Sequence, residues 1–66
     1  MQTLTFNGTT LETPAKTVDQ LLKLSGIEAR GIAVALNGTV VPRSEWMDTE
    51  ISTGDIVEVV TAAAGG

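Results

Sequence analysis

Ile56-Val57-Glu58-Val59-Val60 is the stretch whose reading decides the fold. Its aliphatic residues are all β-branched, which favours an extended backbone. So nearly continuous an apolar run reads as a strand in the middle of a sheet, not at its edge. Gly54-Asp55 in front of it makes a tight turn. By alternation, Val57 and Val59 face one side of the strand, and Ile56, Glu58 and Val60 face the other. A central strand needs neighbours on both sides, so the remaining chain should supply two of them.

Two hairpins answer that need. Gln2 to Phe6 alternates, with Leu4 and Phe6 on one face and Thr3 and Thr5 on the other. Asn7-Gly8 follows, the pair that best accepts the two positive φ angles of a type I′ turn. Thr9 to Thr13 returns as a second strand, with Leu11 inward and Pro14 ending it. The pattern recurs at Ile32-Ala33-Val34-Ala35-Leu36, Asn37-Gly38 and Thr39-Val40-Val41, which Pro42 ends. A proline there fits an edge strand.

Between the hairpins lies one short helix. Thr17 is placed to cap it, and Gln20 stands three residues on, as in a capping box. Asp19 suits the positive end of the helix dipole. Val18, Leu21 and Leu22 fall at i, i+3 and i+4, one core-facing stripe. Ser25-Gly26 stops the helix, with Gly26 as the C′ residue. Arg43-Ser44-Glu45-Trp46 reads as a single helical turn capped by Ser44, with Trp46 packed into the core. Ile51 is an inward anchor in an otherwise irregular stretch from Thr49 to Thr53. The predicted class is α+β: a mixed sheet of five strands on one helix, the last strand between the two hairpins and beside the first. The domain spans 1–60, followed by a tail, 61–66.

Composition narrows the function classes. The chain of 66 residues has no Cys and no His, so neither a disulfide nor a catalytic thiol or imidazole is available. It carries four Lys or Arg against eight Asp or Glu, a formal net charge of −4, with only Phe6 and Trp46 aromatic. Without a basic stripe or aromatic platform, nucleic-acid binding is not expected. The first residues, Met1-Gln2-Thr3-Leu4-Thr5-Phe6, lack the pattern of a signal peptide, and the aliphatic run Ile32 to Leu36 is far too short for a membrane span. A monomeric cytoplasmic protein is expected. No nucleophile–base pair or metal constellation can be assembled, so an independent enzyme is not expected either.

The remaining chemical feature is Ala62-Ala63-Ala64-Gly65-Gly66. Two glycines make a thin, conformationally free end that can thread a narrow channel and deliver the Gly66 carboxylate to a buried site. A carboxylate becomes a useful electrophile only after activation, ordinarily as an acyl-adenylate. Joining that anion to a nucleotide phosphate needs a metal ion and cationic donors. No residues here supply them, so the machinery belongs to a partner. Six extended residues from Thr61 reach roughly 20 Å. Fast backbone motion is expected from Thr61 on. The plainer reading is a frayed terminus.

The whole chain resembles the sulfur carrier proteins of thiamine biosynthesis, small ubiquitin-like proteins of β-grasp fold. The residues that carry the resemblance are Thr17-Val18 with Leu21-Leu22, Ala33-Val34-Ala35-Leu36-Asn37-Gly38, Val41-Pro42-Arg43-Ser44-Glu45-Trp46, Gly54-Asp55 and Gly65-Gly66. The resemblance implies a cosubstrate that binds no cofactor itself. An adenylating enzyme related to ubiquitin-activating enzymes would adenylate Gly66 with ATP and magnesium. A sulfur donor such as a cysteine desulfurase would convert the adenylate to a thiocarboxylate. Thiazole synthase would then accept the sulfur. Gly65 and Ala64 would occupy the partner's channel; relatives often carry a bulkier residue where Ala62-Ala63-Ala64 stands here. Carriers for molybdopterin or cysteine synthesis share the fold and tail, as do protein modifiers joined to lysine, and a regulatory module with an inert tail is a further alternative. The docking face for a partner is expected on the side of the sheet away from the helix, at Ile56, Glu58, Val60, Ala33 and Ala35, joined by Thr3 and Thr5.

Overall fold

The computed structural model describes residues 1–61. The expectations for Ala64, Gly65 and Gly66, and for motion in the tail beyond Thr61, lie outside those residues. The elements run β1 (Gln2–Phe6), β2 (Thr9–Thr13), α1 (Val18–Leu24), β3 (Ile32–Leu36), β4 (Thr39–Val41), a 3-10 turn (Arg43–Glu45) and β5 (Ile56–Thr61). The sheet order is β2-β1-β5-β3-β4. The last strand therefore lies between the two hairpins and beside β1, as its apolar run predicts. The β1–β5 pair is parallel and short, with Thr5 opposite Ile56 and Phe6 opposite Val57. The antiparallel β3–β5 pair is longer and runs from Leu36 opposite Val57 to Ile32 opposite Thr61. That final pairing carries β5 one residue past the expected boundary at 60.

Both hairpin turns have the left-handed backbone that the Asn-Gly pairs predict, with φ of 49° and 81° at Asn7 and Gly8 and of 52° and 85° at Asn37 and Gly38. Asparagine tolerates this region because its short polar side chain bonds locally, and glycine because it has no Cβ.

The helix has only seven residues, too few to form alone, so its ends and buried stripe must hold it. Thr17 Oγ1 accepts the Gln20 N–H at 3.2 Å. The N–H groups of Val18 and Asp19 donate to the carbonyls of Thr49 and Trp46, at 3.0 and 3.1 Å. The first-turn donors that a helix leaves open are thus met by a cap and by the following loop. The capping box is displaced by one residue: Gln20 Oε1 accepts from the N–H of Lys16 at 2.8 Å, not from that of Thr17. Thr17 lies opposite Glu50 in an antiparallel bridge, carried by the N–H of Val18 to the Thr49 carbonyl and that of Ile51 to the Lys16 carbonyl. At the other end Gly26 has φ 72°. The N–H of Ile27 reaches the Leu22 carbonyl and that of Gly26 the Lys23 carbonyl, at 3.0 and 3.2 Å, a Schellman stop.

Val18, Leu21 and Leu22 of α1 pack on Leu4, Val34 and Val57 of the sheet, all buried. Trp46 and Ile51 close the core. Trp46 is 3% exposed, and its Nε1–H donates to the Val41 carbonyl at 2.9 Å, which satisfies the one polar group of the ring. The expected cap at Ser44 is not formed. Pro42 occupies the N-cap position without a side-chain bond, and Ser44 lies inside the 3-10 turn. Proline's fixed φ presets that start, so no side-chain acceptor is required. One helix held against a five-stranded mixed sheet is the β-grasp arrangement, α+β in class.

Candidate functional site

The helix covers one face of the sheet, and the residues predicted on the other face are found there. Val57 is buried and Val59 half-buried toward α1. Alternating with them, Ile56 and Val60 are 49% and 59% exposed, and Glu58 is exposed. Register places Ala33 opposite Val60 and Ala35 opposite Glu58, while Ala35 also faces Val40 across the β3–β4 pair. A shallow trough results, lined by Ala33, Ala35, Val40, Glu58 and Val60. The two alanine side chains are too short to fill their row, so Val40 and Val60 stand as its walls. Thr5 is half-buried and Thr3 exposed farther along the sheet. Sequence reading missed Val40. The signal was present: Val41 points inward, so its neighbour must point outward. Val40 is 67% exposed.

The path of β5 is set by two turn residues that sequence reading treated only as turn formers. Asn7 Oδ1 accepts the N–H of Val59 at 2.7 Å, and Asn37 Oδ1 accepts that of Ile56 at 2.9 Å. Asn37 Nδ2 also donates to Asp55 Oδ1 at 3.1 Å, and Asp55 Oδ2 accepts from the Ser52 N–H at 2.7 Å. One asparagine from each hairpin therefore holds the central strand, Asn37 at its first residue and Asn7 at its fourth. Backbone bonds add to this: the N–H groups of Asn7 and Asn37 donate to the carbonyls of Val57 and Ile56, at 2.9 and 2.7 Å.

The trough can bind but has no reactive group beyond one carboxylate. Among the described residues no group of three His, Cys, Asp or Glu side chains is placed to hold a metal ion, and no helix is long and apolar enough to cross a membrane. In sequence, Ala64, Gly65 and Gly66 follow the end of β5 at Thr61 after two further alanines, Ala62 and Ala63.

Comparison with known proteins agrees with this architecture. The chain is 37% identical over 61 residues to the sulfur carrier protein ThiS of Thermus thermophilus, covering 92% of this chain and 95% of that protein. A stretch of 50 residues is 36% identical to part of a thiazole synthase of Paramagnetospirillum magneticum, covering 76% of this chain but 15% of that protein. The crystal structure of the thiamine biosynthesis protein ThiS of Geobacter metallireducens superposes with a TM-score of 0.82 at 30% identity, over 89% of this chain and 91% of that one. The ThiS family model matches residues 2–66, the Gly-Gly pair included, and the chain belongs to the ThiS family.

Proposed function

We propose that the chain is a cytoplasmic sulfur carrier in thiamine biosynthesis, with the Gly66 carboxylate as the group that carries sulfur. The observation that bears most weight is the near full-length similarity to a sulfur carrier protein, within a family match that reaches residue 66. The fold supports this reading. The central strand β5, bonded on both sides, ends at Thr61, so the Gly-Gly sequence follows from a firm anchor.

In the proposed cycle a carboxylate oxygen of Gly66 attacks the α-phosphate of ATP on a partner enzyme. Pyrophosphate leaves and an acyl-adenylate forms. The partner supplies magnesium and the cationic donors that offset the joined negative charges. The persulfide sulfur of a donor such as a cysteine desulfurase then attacks the acyl carbon and AMP departs, leaving an acyl disulfide. A second thiol on the partner machinery or in solution attacks the donor sulfur, forms a disulfide with it and releases Gly66 as a thiocarboxylate. Thiazole synthase takes that sulfur. The thiazole synthase with a stretch similar to this chain supports that acceptor. The chain is a cosubstrate throughout and not the catalyst. The trough of Ala33, Ala35, Val40, Glu58 and Val60, with Ile56 beside it, docks the adenylating partner while Ala64 and Gly65 cross its wall.

Intact mass after incubation with ATP, magnesium, a sulfur source and extract of the protein's own cells tests the reading. A gain matching one oxygen exchanged for sulfur, localised to Gly66, is expected. A carboxylate that stays unmodified overturns it.

A further inference from the structure

The two Asn-Gly turns are chemically alike in sequence and differently held in the fold. An asparagine followed by glycine is prone to deamidate, because a residue without a Cβ leaves its backbone nitrogen free to approach the preceding side chain. The Gly nitrogen attacks Asn Cγ, the Cγ–Nδ2 bond breaks, and ammonia leaves. Water then opens the succinimide. Attack at Cγ gives aspartate, and attack at the main-chain carbonyl gives isoaspartate. The side chain must first swing away from its partners so that Cγ can face the nitrogen.

We propose that Asn7-Gly8 is a site of spontaneous deamidation and that Asp55 protects the equivalent Asn37-Gly38. Among the described residues Asn7 is held through Oδ1, by the Val59 N–H at 2.7 Å, and its Nδ2 donates to none of them. Asn37 is held at both ends, through Oδ1 by the Ile56 N–H at 2.9 Å and through Nδ2 by Asp55 Oδ1 at 3.1 Å. The second bond ends on a carboxylate, the stronger kind. Asp55 is itself fixed by the Ser52 N–H. The product is also disfavoured at residue 37, since an aspartate there would set its carboxylate against that of Asp55. At residue 7 an aspartate oxygen can still accept from Val59. Isoaspartate cannot keep that geometry, because it adds a methylene to the main chain of a two-residue turn. The modification therefore releases the bond to Val59, the fourth of the six residues of β5.

The test is peptide mapping by mass spectrometry after incubation of the folded protein at neutral and mildly alkaline pH, with isoaspartyl methyltransferase labelling as the readout for isoaspartate. Loss of one charge-assisted bond at a partly exposed site corresponds to about fivefold in rate. Deamidation at Asn7 is expected about fivefold faster than at Asn37, with the two rates converging in denaturant. Asp55→Ala should raise the Asn37 rate toward that of Asn7. Equal rates in the folded protein overturn the proposal, as does a faster reaction at Asn37. An Asn37 rate unmoved in folded Asp55→Ala removes the protective role. If that variant does not fold, the comparison of the two sites in the native chain still decides the matter.

Discussion

The side-chain carbonyl of Asn7 accepts the N–H of Val59 at 2.7 Å, so a turn residue continues the ladder on the β1 side of β5 after β1 has ended at Phe6. The backbone pairing of β1 with β5 covers only two residue pairs, which makes this bond a large part of their contact. Asn7→Gly keeps the positive φ and removes the acceptor. It should cost about 1 kcal/mol, read as a urea midpoint lowered by roughly 1 M. Asn7→Asp restores an acceptor and should recover most of the loss. An unchanged midpoint in Asn7→Gly would show that solvent replaces the bond at no cost.

A helix of seven residues depends on its cap more than a long one does. Thr17→Ala removes the acceptor for the Gln20 N–H and should destabilise by about 1 kcal/mol. The Lys23–Asp19 pair, at 3.1 Å with Lys23 75% exposed, is a solvated i,i+4 contact, and Lys23→Gln should change stability by no more than about 0.5 kcal/mol. Thermal unfolding followed by circular dichroism separates the two. Equal effects would mean that the cap geometry carries no special weight.

Trp46 joins core packing to a buried hydrogen bond, since Nε1 donates to the Val41 carbonyl at 2.9 Å from a ring 3% exposed. Trp46→Phe strips the donor and leaves that carbonyl without it. The expected loss is about 2 kcal/mol, a combined cost of the lost partner and the smaller ring. In a domain of 66 residues that is a large share of total stability. Equilibrium urea unfolding checks it, and a loss below about 0.5 kcal/mol would show that the site readjusts around the smaller ring.

The parts of this fold that were legible in sequence are those that local chemistry fixes. Asn7-Gly8 and Asn37-Gly38 encode their turns because few other pairs accept two positive φ angles. The run Ile56 to Val60 encodes a central strand because its side chains need cover. Gly26 marks the helix stop for the same local reason as the turns. What was hidden depends on residues distant in sequence. Gln20 accepts from Lys16 instead of Thr17 in a segment whose backbone is held by Thr49 and Ile51, the N–H of Val18 donating to the Thr49 carbonyl and that of Ile51 to the Lys16 carbonyl. Ser44 is a local exception: it does not cap because Pro42, two residues before it, already sets the turn. The grip of Asn7 on Val59 spans 52 positions, and no local pattern announces it. Thr61 belongs to β5 only because Ile32 is there to pair with it. Of the proposed docking face, alternation supplied Ile56, Glu58, Val60, Ala33 and Ala35. Val40 was overlooked because a three-residue edge strand offers little periodicity to read.

Val60 walls the trough opposite Ala33 and is 59% exposed, so a polar replacement need not disturb the core. Val60→Asp should fold with stability within about 0.5 kcal/mol of the parent. Docking is a different matter. The new carboxylate stands on the same face as Glu58, two residues away on the same strand, and both would lose water when a partner covers the trough. If this face receives the adenylating partner, that cost is of the size seen at interface hot spots, about 2 kcal/mol, or roughly thirtyfold in kcat/KM for adenylation. The loss should fall mainly on KM, because the variant changes binding and leaves the reacting carboxylate alone. Val40→Asp, on the opposite wall, should behave similarly. Met47→Asp is the control, since Met47 is 72% exposed just after the 3-10 turn and outside the trough, and its kinetics should not change. Pyrophosphate release measured for all three with the purified partner decides it. Unchanged kinetics in folded Val60→Asp would move the docking surface off this face while leaving the chemistry proposed at Gly66 intact.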